Sequence, residues 1–349
     1  MMAETDKTAK KEEAGKNDTA AIEKIRDAYG KMRDELSKVI VGQDEVIEQL
    51  IIAIFSKGHC ILEGVPGLAK TLLVSSLAQI MELSFKRIQF TPDLMPSDIT
   101  GTEVIQDDPE TGDRKFKFLP GPIFANVILA DEINRTPPKT QAALLESMQE
   151  RQVSIGGDVY KLKEPFFVLA TQNPLEQEGT YPLPEAQQDR FLFKIFVDYP
   201  DEEEELKIIK SINNIESAAL NKVLKGQHIV KIQKLIRRVP VADHIFNFAN
   251  ALVRATRGGY DGGVDIAESW LSWGAGPRAT INLVTAARAR AVLRGQAHVS
   301  TEDIKSVAKP VLRHRIAVNF AAQAEGYTPE KLIDMFIERV DESMAAAVS

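Results

Sequence analysis

Short apolar runs alternate with amphipathic stretches along the chain up to about residue 200. Four of the runs are residues 59–62, 85–90, 127–130 and 166–170, and residues 193–197 could supply a fifth. Runs of this length without polar interruption are typical of strands that are buried on both faces of a parallel sheet. The pattern predicts an α/β fold in which helices cover both faces of the sheet.

Beyond Pro200 the pattern changes to helical periodicity without a convincing strand. The predicted helices there cover residues 201–214, 227–238, 241–257, 278–294 and 301–312. Residues 1–18 carry mixed charge and almost no large apolar side chain, which is typical of a disordered polar tail. We therefore expect a tail over residues 1–18, an α/β domain with an N-terminal helix over 19–200, and a smaller all-helical domain over 201–349.

Composition and charge limit the classes of function that the chain can have. The 349 residues carry 43 Lys and Arg against 50 Asp and Glu, a net charge of -7, which is the wrong sign for a protein that coats nucleic acid. The single cysteine, Cys60, can form no internal disulfide. No signal peptide and no membrane-spanning apolar stretch is recognised, so we expect a soluble cytoplasmic protein.

A glycine loop follows the first predicted strand and precedes an apolar helical run. It reads Gly64-Val65-Pro66-Gly67-Leu68-Ala69-Lys70-Thr71. Backbone N–H groups of such a loop can surround phosphate oxygens, Lys70 can neutralise the outer phosphates, and the Thr71 hydroxyl can bind Mg²⁺. The loop resembles a Walker A motif, although Ala69 stands where the last glycine is usual. The alternative is a tight turn with a solvated lysine.

Two adjacent acids, Asp131 and Glu132, end the strand predicted over residues 127–130. This resembles a Walker B motif, in which Asp131 holds Mg²⁺ and Glu132 polarises an attacking water. Asn173 follows the strand predicted over residues 166–170 at the same edge of the sheet. It could reach the γ-phosphate or the water, but taken alone an ordinary Asn-Pro turn is the favoured interpretation.

These residues, in this order, resemble the Walker A, Walker B and sensor 1 motifs of an AAA+ ATPase, and more specifically its MoxR branch. Further matching segments are Val41-Gly42-Gln43, Asp131 to Arg135 with Pro137-Pro138-Lys139, Glu178 to Ala186, and Asp189-Arg190-Phe191. The similarity spans roughly residues 36 to 320. Gln188 and Gly276 depart from the pattern, standing in place of leucine and serine.

The resemblance implies roles that the residues alone would not assign. Arg190 would be an arginine finger that enters the site of a neighbouring subunit, whereas a local ion pair with Asp189 is the simpler interpretation without the family. Arg278 would be sensor 2, serving its own subunit or the next. Val41 would lie in the strip that contacts adenine. Residues 91–112 would form the helix 2 insert, and residues 152–163 a pre-sensor 1 hairpin, which their own alternation also predicts.

The implied function is Mg²⁺-dependent hydrolysis of ATP by a hexameric ring that remodels or matures protein clients, with von Willebrand factor A domain proteins as partners. Three alternatives stay open: a nucleic-acid motor or loader, a metal-chelatase motor subunit, and a nucleotide-gated switch. A basic cluster could serve nucleic acid but is more often a solvated helix face. Its members are Lys222, Lys225, Lys231, Lys234, Arg237 and Arg238. The five histidines show no spacing typical of a metal site.

Overall fold

The structure is a computed structural model that describes residues 2–65, 67–107, 114–173, 179–212 and 219–346. The chain divides into two compact units. We call residues 33–50 with 57–230 the sheet unit, and residues 1–32, 51–56 and 231–349 the helical unit. The expected boundary at residue 200 does not coincide with these units. Residues 201–230 belong with the sheet, because the chain returns to it and Val223 donates its backbone N–H to the Ile80 carbonyl at 2.7 Å.

Helices make up the larger part of the described chain. In chain order they are α1 (Met2–Leu36), α2 (Asp44–Phe55), α3 (Lys70–Ile80), α4 (Pro96–Thr100), α5 (Pro138–Glu150), α6 (Glu185–Gln188), α7 (Glu202–Ile212), α8 (Gly226–Ile236), α9 (Asp243–Ala255), α10 (Asp265–Trp270), α11 (Pro277–Leu293), α12 (Thr301–Leu312), α13 (Phe320–Ala324) and α14 (Pro329–Ala346). Helix α1 runs through residues 2–18, and the disorder expected of that segment stays a prediction. No helix among the described residues has the length and hydropathy needed to cross a bilayer.

The strands form one central sheet and three small ribbons. They are β1 (Cys60–Glu63), β2 (Phe85–Gln89), β3 (Gly101–Asp107), β4 (Arg114–Pro120), β5 (Val127–Asp131), β6 (Gln152–Ile155), β7 (Asp158–Lys161), β8 (Phe167–Gln172), β9 (Phe193–Phe196), β10 (Leu271–Trp273) and β11 (Ala317–Val318). The central sheet has the order β2-β5-β8-β1-β9, and every pairing in it is parallel. All five apolar runs of the sequence therefore form strands, and the predicted α/β fold is confirmed.

Burial explains why these five segments pair. Ile61 in β1, Ile128 in β5 and Val168 in β8 are each almost completely buried in one apolar cluster. Helix α5 contributes Leu144 and Leu145 to the same cluster. Removal of this much apolar surface from water favours a sheet covered by helices, and it aligns the carboxyl ends of neighbouring strands at one edge.

Two hairpins extend from the sheet unit. The hairpin β6–β7 was predicted from its alternating pattern, and its turn residues Gly156 and Gly157 have φ angles of 60° and 92°. The hairpin β3–β4 is not predicted as strands by the sequence pattern. Residues 108–112 of the insert expected over residues 91–112 lie outside the described residues. Phe118 of β4 stacks on Tyr160 of β7 with ring centroids 4.1 Å apart, so the two hairpins are in contact.

In the helical unit, α11 packs against α9 and α12, and α14 packs against α9. Helix α12 begins with a capping box in which Ser300 and Asp303 exchange hydrogen bonds. Arg290 of α11 pairs with the buried Asp303 at 2.6 Å. The antiparallel ribbon β10–β11 also lies in this unit. The helical periodicity of residues 201–349 did not predict it, because its two strands span only 3 and 2 residues.

His59 is held neutral in the core of the sheet unit. Its Nδ1 accepts the Val168 backbone N–H at 3.0 Å, and its Nε2 lies 3.3 Å from the Met148 carbonyl oxygen. Burial, together with the positive charge of Arg151, lowers the pKa of His59 from 6.5 to about 4. A proton on Nδ1 would break the bond to Val168, so the neutral ring is the form that this packing requires.

We expect this histidine to make stability depend on pH. Between pH 6.5 and 4 the unfolded chain binds a proton that folded His59 does not. The free energy of unfolding should therefore fall as the pH is lowered through this range, by up to on the order of 3 kcal/mol. Chemical denaturation followed by circular dichroism at pH 7 and pH 5 measures the loss. His59→Asn, which keeps an acceptor for Val168 but does not titrate, should show a smaller difference. An equal difference in both proteins would contradict this role.

Candidate functional site

Three adjacent strands of the central sheet end at one edge with the predicted site residues. The order β5-β8-β1 places Asp131 at the end of β5, Asn173 directly after β8, and the glycine loop directly after β1. Thr171 of β8 lies in register with Leu62 of β1. These segments are far apart in the sequence, and parallel pairing brings their polar ends together.

The glycine loop has the conformation of a tight strand-to-helix turn. A side chain at Gly64 would place its Cβ 2.7 Å from the Val197 carbonyl oxygen, so the β9 end leaves no room for one. Gly67 has a φ of 89° and opens to free space. Pro66 lies outside the described residues. The loop ends at Lys70, the first residue of α3, where unpaired backbone N–H groups of the helix favour an anion.

Ala69 occupies the position where the sequence pattern leads one to expect glycine. Its φ of 53° and ψ of 24° are in the left-handed region, which costs a residue with a side chain roughly 1–2 kcal/mol. The usual preference for glycine here thus has a conformational cause, and this chain forms the same turn with alanine. Leu68 beside it is half-buried, and Thr71 is exposed in the first turn of α3.

Lys70 lies within electrostatic reach of the two acids. Its Nζ donates a hydrogen bond to the Gly64 carbonyl oxygen. Partial burial lowers the pKa of Lys70, and attraction to Asp131, Glu132 and Glu63 opposes that shift. The ammonium group therefore stands between the glycine loop and the ends of the neighbouring strands, where it can serve as the counter-charge to a bound anion.

Asp131 is hydrogen-bonded through both carboxylate oxygens. Oδ2 accepts from Nε and Nη2 of Arg87 on β2 at 2.9 and 2.6 Å. Oδ1 accepts from the Thr171 hydroxyl on β8 at 2.6 Å. The carboxylate is thus held between its two neighbouring strands in an orientation that each of them helps to fix.

Glu132 has partners of its own on the same face. It has a left-handed backbone, with φ 57° and ψ 49°. Its Oε2 accepts from Gln89 Nε2 at 2.7 Å and lies 3.2 Å from Nη1 of Arg135. Its backbone N–H donates to the Thr171 hydroxyl at 2.8 Å. The two acids are therefore adjacent in sequence but are held by different cations.

Arg87, Gln89 and Thr171 are site residues that the sequence analysis missed. The available signal was weak: Arg87 and Gln89 alternate with Lys86 and Ile88 on β2, which places them on one face of the strand. Which residues the face contacts depends on which strand pairs with β2, and the sequence does not give the strand order. Only the pairing of Gln89 with Asp131 in register shows that β2 lies beside the acids.

Asn173 and Arg190 occupy different environments in the sheet unit. Asn173 is 7% exposed at the carboxyl end of β8. Residues 174–178 lie outside the described part of the chain, and the match beginning at Glu178 is therefore described only from Gly179 onward. Arg190 is half-buried between α6 and β9, and within the described ranges its guanidinium group makes no ion pair with Asp189.

Arg278 and Val41 are two further residues that the sequence analysis assigned to the site. Arg278 is exposed in the first turn of α11, after Gly276 and Pro277, and belongs to the helical unit. Val41 is half-buried in the sheet unit. It precedes Gly42, whose φ is 69°, and the Glu204 carboxylate lies so close that a Cβ there would be 2.3 Å from Oε1. The roles of Arg278 and Val41 stay predictions.

Two members of the basic cluster are paired with carboxylates, one in each unit. Lys222 and Lys225 belong to the sheet unit, and the remaining members belong to the helical unit. Lys222 pairs with Glu82 at 2.8 Å, and Arg238 pairs with Asp18 at 2.8 Å. These neighbouring carboxylates reduce the positive potential that nucleic acid would need.

Comparison with known proteins gives the family. Residues 59–193 match the ATPase family associated with various cellular activities (AAA), and residues 265–335 match the AAA lid domain. Over 306 residues the chain is 44% identical to the chaperone MoxR1 of Mycobacterium tuberculosis, covering 88% of this chain and 80% of that protein. The chain belongs to the MoxR family of AAA+ ATPases. The resemblance inferred from the glycine loop and the acids is confirmed.

A second curated relative and one solved structure are also similar to this chain. Protein MoxR of Methylorubrum extorquens is 32% identical over 307 residues, which cover 83% of this chain and 88% of that protein. A crystal structure of a candidate ATPase from Cytophaga hutchinsonii has a TM-score of 0.85 and 43% identity, and it covers 94% of this chain and 98% of that one. An AAA domain with a helical lid is therefore the architecture of this MoxR-family chain.

Proposed function

We propose that this MoxR-family protein hydrolyses ATP to ADP and phosphate in a Mg²⁺-dependent reaction. The observation that carries the proposal is the convergence of the glycine loop, Lys70 and two adjacent acids at the carboxyl ends of neighbouring parallel strands. Phosphoryl transfer requires mainly positioning and charge stabilisation, and this arrangement provides groups for both.

The loop residues are proposed to bind the phosphates. Backbone N–H groups of Gly67, Leu68, Ala69 and Thr71 would surround their oxygens, aided by the helix dipole of α3. Gly64 and Pro66 would shape the loop, and Pro66 has no N–H group to donate. Lys70 would exchange its bond to the Gly64 carbonyl for a bond to the outer phosphates. Val41 would pack against the adenine ring.

The donor atoms fit a magnesium ion. Thr71 offers an exposed hydroxyl and Asp131 a carboxylate that already accepts charged donors, and Mg²⁺ prefers oxygen ligands of this kind. We propose Thr71 and Asp131 as the residues that hold the ion. When bound, the ion would supply positive charge that offsets the negative charge developing on the phosphate oxygens.

Glu132 is proposed to act as the general base for the attacking water. Its bonds to Gln89 and Arg135 hold the carboxylate at the end of β5. A carboxylate in this position can accept the water proton as the water attacks the γ-phosphorus. Asn173 would orient the same water or the γ-phosphate from the end of β8.

Two arginines would complete the site in an assembled ring. Arg190, which has no ion-pair partner within the described chain, is proposed to contact the γ-phosphate in a neighbouring subunit of a hexamer. Arg278 of the helical unit is proposed as the lid arginine. An arginine's fixed charge and planar donor fork suit it to phosphate oxygens in either role.

The work that hydrolysis drives is proposed to be chaperone-like remodelling of protein clients in the cytoplasm, with von Willebrand factor A domain proteins as partners. One relative carries the name chaperone, which supports a protein client over a nucleic-acid motor or a metal-chelatase subunit. The paired charges of the basic cluster also disfavour the nucleic-acid alternative.

We expect Mg²⁺-dependent ATP turnover per protomer to rise with protein concentration, because assembly would bring Arg190 into the neighbouring site. Phosphate release measured across the concentration range in which light scattering detects assembly tests this. Omission of Mg²⁺ is the control. Flat turnover down to conditions where the protein is a monomer would contradict the shared site, and absence of turnover at every concentration would contradict the proposed hydrolysis.

A further inference from the structure

Asp131 is paired with a cationic side chain, that of Arg87. Arg87 makes two hydrogen bonds to one oxygen of Asp131, at 2.9 and 2.6 Å, and this is the closest cation–carboxylate contact of either acid. The Asp131 side chain is only 15% exposed, whereas that of Arg87 is 48% exposed. A carboxylate this buried requires a compensating charge, and Arg87 provides it from the solvent side.

The location of Arg87 allows it to move away. Strand β2 is the edge strand of the central sheet, and Arg87 reaches diagonally from its place opposite Leu129 to the end of β5. The guanidinium group of a half-exposed arginine can move fully into water at a small cost in free energy, unlike that of a fully buried one. Thr171 holds the other oxygen of Asp131, so that loss of Arg87 would leave the carboxylate still oriented.

The same arginine is connected to Glu132. Its Nη2 also donates to Gln89 Oε1, and Gln89 Nε2 donates to Glu132 Oε2 at 2.7 Å. This bond from Arg87 fixes which end of the Gln89 amide faces the acid. A continuous chain of hydrogen bonds therefore runs from Asp131 through Arg87 and Gln89 to Glu132.

We propose that Arg87 competes with the magnesium ion of Mg²⁺·ATP for Asp131, acting as a placeholder cation that metal binding displaces. This inference rests on the proposed function, because it takes Asp131 to be a metal ligand. Arg87 is a positioning residue in this scheme and does not contact the reacting atoms. Its displacement also removes the donor that orients Gln89 against Glu132.

The competition has consequences of opposite sign with and without metal. Without Mg²⁺, Arg87 offsets the repulsion between the two acids and the phosphates of ATP, so its loss should weaken binding of metal-free ATP. With Mg²⁺, Arg87 is a competitor, so its loss should lower the metal concentration needed for tight binding. Damage to the fold would weaken both kinds of binding together.

The experiment measures ATP affinity by isothermal titration calorimetry in EDTA and at a series of Mg²⁺ concentrations. For Arg87→Gln we expect the half-saturating Mg²⁺ concentration to fall about fivefold and the affinity for metal-free ATP to fall by a similar factor. Arg87→Lys, which keeps the charge, should remain near wild type in metal-free binding. Lys86→Gln makes the same change of charge one residue away on the opposite face of β2 and should alter neither quantity.

The possible outcomes separate the two proposals. Opposite shifts in Arg87→Gln support the competition. An unchanged Mg²⁺ requirement in Arg87→Gln overturns it. Weakening of both affinities in an Arg87→Gln protein that is folded by circular dichroism overturns it as well. If wild type binds ATP without any Mg²⁺ dependence, the metal site at Asp131 fails, and the proposed function fails with it. Should Arg87→Gln not fold, a wild-type Mg²⁺ requirement in Arg87→Leu would overturn the competition.

Discussion

Glu132→Gln is expected to retain ATP binding and to lose hydrolysis by a factor of about 10² to 10⁴. The amide keeps an oxygen that can accept from Gln89 and Arg135, so the end of β5 should keep its shape. It cannot accept the proton of the attacking water. Because the substitution also removes a negative charge close to the phosphates, ATP affinity should be equal to or higher than that of wild type.

Single-turnover hydrolysis and calorimetric ATP binding measure the two effects separately. Glu150→Gln is the matched control, since Glu150 is an exposed glutamate at the end of α5. It should leave both binding and turnover unchanged. Turnover at the wild-type rate in Glu132→Gln would exclude this residue as the base, and loss of binding would indicate damage to the loop instead.

The central sheet could be predicted because its strands are continuous in apolar residues. Val127 to Ala130 and Phe167 to Ala170 are buried on both faces, so no polar residue interrupts either pattern. Strand β3 differs: Ile105 is 61% exposed, and its cross-strand neighbour Phe116 is 73% exposed. A ribbon with apolar residues in solvent gives no burial pattern from which to recognise it.

The parts of the candidate site that could be predicted are those whose functional residues lie close together in the sequence. The glycine loop and the Asp131-Glu132 pair each lie within one short segment, and parallel strand ends bring them together. Arg87 and Thr171 could not be found in this way, since their contacts with Asp131 depend on β2 and β8 flanking β5. Strand order is decided by long-range packing, which apolar periodicity does not encode.

The surroundings of Arg190 could not be predicted from the sequence pattern either. Periodicity places Arg190 only between a helical turn and a strand, and the structure adds that it makes no ion pair with Asp189 in the described chain. Among the described residues no carboxylate pairs with this half-buried guanidinium group, which is consistent with the proposed contact to another subunit. Its assignment to a neighbouring subunit comes from the family.

Arg190→Ala is expected to lower ATP turnover by about 10³-fold or more, with ATP affinity little changed. The reason is that a finger contributes most in the transition state, when charge shifts onto the phosphate oxygens and the leaving group. Lys70, Asp131 and Glu132 all remain in the variant. Arg237→Ala, which removes an exposed arginine of the helical unit, is the control and should hydrolyse ATP normally.

Mixing two inactive variants decides whether Arg190 acts within its own chain or on its neighbour. A subunit carrying Arg190→Ala keeps Glu132, and a subunit carrying Glu132→Gln keeps Arg190. In a head-to-tail ring assembled at random from equal amounts, about a quarter of the sites would combine an intact Glu132 with a neighbour's intact Arg190. Turnover should then recover to about that fraction of wild type. An arginine acting on its own site would give no recovery, since every subunit would still lack one of the two groups, and the shared site would have to be abandoned.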